Sequence, residues 1–147
     1  MRIAETVGTD LTLHLLLHSK IYDLSLTNLP LDSTLQPMIG FVSAASDVYA
    51  QSLGGKAGGN GGVNGTLRVF QKLFPEDRIE ELLETTFHLH DNPTQSFLEG
   101  MNAGGEFGNG IAFDDIGRSI RAAHSFFPNY YKAQCGNPSG KRPESDA

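Results

Sequence analysis

Between residues 35 and 49 the apolar side chains Leu35, Met38, Ile39, Val42, Ala45, Val48 and Tyr49 return at steps of three and four. That interval follows the turn of an α-helix, whereas a strand repeats its buried face every second residue. Pro37 suits the first turn of such a helix and Gly54-Gly55 suit its end. Ser43, Ala44, Ala45 and Ser46 leave room there for a second helix to come close.

The same period recurs further along the chain. Leu67, Val69, Phe70, Leu73 and Phe74 form one set, and Ile79, Leu82, Leu83, Thr86 and His90 form another, entered through Pro75 with Glu76 and Asp77 at the favourable end of the helix dipole. Asn92-Pro93 closes that segment and opens one carrying Phe97, Leu98 and Met101. Ile116, Ile120, Ala123 and Phe127 mark a last helix, capped at Asp114 and stopped at Pro128. Residues 10–22 fit two patterns, since their leucines alternate as in a strand yet lack β-branched neighbours apart from Thr12. A helix is the choice here, one with leucine on nearly every side and hence burial on most faces.

Two stretches interrupt these patterns. Residues 54–65 hold seven glycines in twelve positions, and residues 103–110 read Ala-Gly-Gly-Glu-Phe-Gly-Asn-Gly. Both are expected to be loops, and Asn109-Gly110 suits a tight hairpin turn. The shared Ala-Gly-Gly and Asn-Gly hint at a repeat, although such residues are common in loops. The expected fold is therefore mainly α: a compact helical domain of five or six helices with two glycine-rich loops and one short hairpin, with α+β as the alternative. Residues 23–33 read as a loop. The length of 147 residues suits one globular domain over 1–135, followed by a flexible tail at 136–147.

Charge narrows the partners. The formal net charge is −6, and the eleven lysines and arginines are scattered, which argues against nucleic acid and against an anionic membrane surface. No apolar run approaches the ~20 residues of a membrane span. Cys135 is the only cysteine, so no disulfide forms within the chain, as suits a reducing, cytoplasmic setting.

Several residue sets could carry chemistry, and each has an ordinary reading beside it. His14 and His18 share a helix face, and His88 and His90 with Asp91 make a second group. Imidazole and carboxylate ligands suit a divalent transition metal, so these five residues are the metal candidates. Their spacing matches no specific metal motif, and histidines hydrogen-bonded in a core or on a surface account for them equally. Lys56, Gly59, Gly61 and Arg68 are the ligand-binding candidates, because closely spaced glycine N–H groups ahead of a helix can approach an anion. Neither the P-loop nor the dinucleotide fingerprint is present, so a plain connector explains them as well.

For acid–base chemistry the candidates are His88, His90, His124 and Asp115, with Glu106 and Asp114 nearby. Asp114 and Asp115 fit a helix start equally well. Ser19, Ser125 and Cys135 are conceivable nucleophiles without an evident base. Arg118, Arg121, Tyr130, Tyr131 and Lys132 form a basic, aromatic neighbourhood that could meet an anionic ligand or a partner, or stand as an exposed helix face. The function most consistent with these features is a regulatory or protein-interaction domain, which would show an exposed apolar patch. The alternative is an enzyme or small-ligand binder with a histidine site near the glycine-rich loops, which requires histidines from both sets to converge.

Overall fold

The computed structural model describes residues 2–21 and 35–135, with side chains at 2–18 and 35–127. Over these residues the chain is helical: α1 (Ile3–Ile21), α2 (Gln36–Ser52), α3 (Asn60–Leu73), a 3-10 turn (Glu76–Arg78), α4 (Ile79–Asp91), α5 (Gln95–Ala112) and α6 (Ile116–Cys135). The expected loop at 23–33 and the tail at 136–147 lie outside the described residues.

Helix α2 is the centre. It is buried through Met38, Ile39, Gly40, Phe41, Val42, Ser43, Ala45, Ser46 and Ala50, and it packs against α5, α3 and α1. Its Phe41 ring meets Phe107 of α5 at 5.1 Å and Phe126 and Phe127 of α6 at 4.6 and 5.4 Å between centroids. Phe41, Phe70, Phe97, Phe107 and Phe127 are all fully buried, and each such side chain contributes about 1.5–3 kcal/mol by leaving water. Pro37 sits in the first turn of α2 as expected, and Gly54 ends it at a φ of +104°.

The stretch at 103–110 is neither loop nor hairpin. It lies inside α5, and its glycines make the closest helix contact in the fold. A side chain at Gly100 would collide with the Pro37 carbonyl, one at Gly104 with the Phe41 carbonyl, and one at Gly108 would come within 2.8 Å of the Ala45 carbonyl. Three glycines at four-residue steps thus form a groove in α5 that receives a ridge of α2, with both helices running the same way. Gly40 of α2 returns the contact against the backbone of Phe97 and Met101. Helices α1 and α3 pair by the same device. Gly61 lies under Ile3 and Gly65 under Val7, so these two also run parallel.

The stretch at 54–65 is divided. Residues 54–59 connect α2 to α3, but Asn60–Gly65 are already the first turns of α3. The fold therefore has one short glycine-rich connection where two loops were expected.

Polar ties fix the ends. The Tyr49 hydroxyl donates to Asp10 Oδ2 at 2.5 Å, joining α2 to α1, and burial together with that carboxylate pushes the phenol up to about 12. The Ser119 hydroxyl donates to the Phe107 carbonyl at 2.7 Å, joining α6 to α5. Asp114 has a φ of +56° and ends α5, so the start of α6 falls to Asp115, whose carboxylate accepts from the Arg118 N–H at 3.2 Å. The expected cap at Asp114 is thus displaced by one residue. Helix α6 also continues beyond Pro128, where a stop was expected.

Helix α1 begins at Ile3, well before the expected start at Asp10. Of its leucines only Leu11 and Leu15 are buried, whereas Leu13, Leu16 and Leu17 are 56%, 41% and 51% exposed. Burial on most faces is not what the fold provides. Helix α1 is covered by α3, α2 and α6, and its outer side is left facing solvent. Among the described residues, no helix is long and apolar enough to cross a membrane.

Candidate functional site

The histidines occupy two places. His14 and His18 of α1 stack with ring centroids 6.4 Å apart, and both lie edge-on to Phe107 of α5. His18 is buried, and neither ring nitrogen has a hydrogen-bond partner among the described residues. Burial, followed by the proximity of His14 and His124, holds its imidazole below the usual value of 6.5. His124, on α6, is exposed.

His90 of α4 is elsewhere. Its Nε2 is 2.7 Å from the Ser43 hydroxyl of α2, and its ring stands edge-on to Phe97 at 5.1 Å. Phe97 and Phe107 are ten residues apart on one helix, a rise of about 15 Å. His88 and Asp91 are exposed near the end of α4. The expected convergence of both sets on one centre is therefore absent from the geometry. Among the described residues no group of three His, Cys, Asp or Glu is placed to hold a metal ion.

Of the anion candidates, Gly61 and Arg68 come together, and Lys56 and Gly59 do not join them. Lys56 is exposed in the connection, where its carbonyl accepts from the Gly59 N–H at 2.9 Å. The neighbouring Gly58 N–H donates to the Asp47 carboxylate at 2.8 Å, so an acid of the chain itself takes a place where a bound anion was considered. Gly61 and Arg68 line a shallow hollow of about 340 Å³ between α1 and α3. The Arg68 guanidinium there is committed to Glu5 at 2.7 Å and to Gln71 at 3.2 Å.

Asp115 serves as a cap at the start of α6. Arg118 forms a paired contact with Glu106 at 2.8 and 3.1 Å. That contact lowers the Glu106 carboxyl and raises Arg118. His124 lies nine residues beyond Asp115, about 13 Å along α6, so these acid–base candidates do not face one another. The side chains of Ser19, Tyr130, Tyr131, Lys132 and Cys135 lie outside the described residues.

A feature outside these candidate sets is the hollow between α3 and α4. It has a volume of about 670 Å³ and is lined by Leu67 and Gln71 of α3, Glu76 of the 3-10 turn, and Ile79, Glu80 and Leu83 of α4. Helix α4 carries two apolar rows. Leu82, Thr86 and Leu89 enter the core. Ile79, Leu83 and Phe87, each four residues from the next, lie on an adjoining face, where the first two are half-buried and Phe87 is 53% exposed. The sequence carries the signal as Ile79 and Leu83, although the helical period groups both with Leu82 in a single stripe. A helix turning 100° per residue cannot point all three the same way, because Leu82 and Leu83 diverge by that angle.

Compared with known proteins, the chain matches no family model, no curated protein and no solved structure.

Proposed function

We propose that this chain is a protein-interaction domain that receives an apolar helical segment of a partner in the hollow between α3 and α4. The observation that carries this reading is the half-open apolar floor of Leu67, Ile79 and Leu83, extended outward by Phe87. Its volume of about 670 Å³ is within the ~300–1,000 Å³ of typical ligand sites. Two helices forming a trough with apolar side chains at its base are the usual seat for an amphipathic helix, whose anchors recur at three- and four-residue steps.

A protein partner also suits the overall charge of −6 better than nucleic acid does, and the single cysteine supports a reducing, cytoplasmic setting. The test is a titration with a 14-residue amphipathic peptide of leucine and glutamine, followed through the methyl resonances of the full chain. Shifts centred on Leu67, Ile79 and Leu83, and lost in Leu83→Asp, are expected. Shifts centred elsewhere, or none, would remove this reading.

A further inference from the structure

We infer that the segment received by this hollow is cationic along one edge: an amphipathic helix with lysine or arginine beside its apolar face. The inference rests on the proposed binding role of the hollow and adds the chemistry of the partner. Residues 76–84 hold five carboxylates, Glu76, Asp77, Glu80, Glu81 and Glu84, against one cation, Arg78. All five acids are exposed. The Arg78 guanidinium carbon is 5.8 Å from the centre of the Phe74 ring, facing that ring.

The acids are placed on one wall of the trough. Glu76 and Glu80 line it directly, and Glu84 continues their four-residue step along α4. This stripe flanks the row of Ile79, Leu83 and Phe87. Like charges at four-residue spacing on a helix repel one another, a cost that a cationic partner would relieve. The α3 wall presents Gln71, which is neutral and whose side-chain oxygen accepts from Arg68. Lys72 is exposed on α3 but does not line the hollow. One wall is thus acidic and the other uncharged, which asks for basic residues on a single edge of the guest.

The row from Ile79 to Phe87 rises about 12 Å, so just over two turns of a partner helix would span it. A second copy of this chain is a poor guest. Each copy carries a net charge of −6, and the acidic wall would repel it.

The experiment uses the full chain and three fluorescein-labelled 14-residue peptides with the same leucine positions, their polar positions filled by lysine, glutamine or glutamate. The lysine peptide is expected to bind at least tenfold more tightly than the glutamine peptide, and the glutamate peptide most weakly, with the lysine advantage shrinking as salt rises from 50 to 500 mM. In the combined variant Glu76→Gln, Glu80→Gln, Glu84→Gln the lysine peptide should bind no more tightly than the glutamine peptide measured on that same variant. Circular dichroism and the thermal midpoint verify that the variant remains folded, and loss of like-charge repulsion favours that.

Equal affinity for the lysine and glutamine peptides would overturn the inference while leaving the hollow as a binding site. A lysine advantage that survives the triple variant would also overturn it, by tracing the attraction to the chain's general acidity. Failure of all three peptides to bind would remove the binding role itself, and the inference with it.

Discussion

The glycines of the connection at 54–59 and those of α5 lie in neighbourhoods of similar composition and differ in almost everything else. In 54–59 the glycines serve the backbone: Gly54 and Gly58 hold left-handed angles of +104° and +67°, and a side chain at either would meet nothing within 4 Å. In 100–108 the glycines serve packing: the backbone is ordinary helix, and Gly100, Gly104 and Gly108 are small because the carbonyls of α2 lie where their side chains would be. Glycine thus answers two different physical demands in one chain, conformational freedom and close approach, and only the first of them makes a loop.

The contrast can be broken by substitution, and the largest effect should come from α5. Gly104→Ala gains about 1 kcal/mol of helix propensity but forces a methyl group into the Phe41 carbonyl. Parting two packed helices outweighs that gain, and a net loss of about 2–3 kcal/mol is expected by urea denaturation. Unchanged stability would mean that α2 and α5 do not meet at this ridge.

In the connection, Gly54→Ala should cost about 1–2 kcal/mol through the left-handed backbone alone. Since no neighbour is crowded there, a larger alanine penalty at Gly54 than at Gly104 would reverse the comparison. A smaller effect, of opposite sign, is expected one residue from the ridge. Gly105 lies in the same helix with nothing within 4 Å of a built side chain, so Gly105→Ala should raise stability by about 0.5–1 kcal/mol. A loss there would show that 103–110 is not regular helix.

The gentlest probe of the same helix is pH. His18 rests on Phe107 of α5, and its imidazole is held below 6.5 by burial first and by His14 and His124 next. At pH 7.5 it is largely neutral in both the folded and unfolded chain, and the native environment confers no pH dependence. Below about pH 6.5 the unfolded chain takes up a proton that the folded chain resists, so stability falls with acidification. The urea midpoint should drop between pH 7.5 and 5.5 in the wild type, and His18→Leu should flatten that slope. A slope unchanged in the variant would place its origin elsewhere.

How much of this was legible in the sequence follows from the same physics. The helical class was, because Met38, Ile39, Val42 and Ala45 repeat at the helical period and do face the core. The role of Gly100, Gly104 and Gly108 was not. Their four-residue spacing is plain in retrospect, yet propensity counts glycine against a helix, and only the partner backbone at Pro37, Phe41 and Ala45 overrides that count. The histidines failed to converge for a comparable reason. His18 and His90 each pack on a phenylalanine of α5, but on opposite portions of it, and a sequence lists neighbours along the chain rather than positions along a packed helix. The hollow between α3 and α4 is half visible in the sequence, since Ile79 and Leu83 read as apolar but share the helical period with Leu82, which faces the core.

Amide hydrogen exchange at single-residue resolution tests the central claim most directly, namely that residues 103–110 are packed helix and residues 54–59 are a connection. The N–H groups of Gly104, Phe107 and Gly108 should exchange only through global unfolding, orders of magnitude more slowly than those of Gly54 and Lys56. Rapid exchange in both stretches alike would contradict the account, returning residues 103–110 to the status of a solvent-exposed loop.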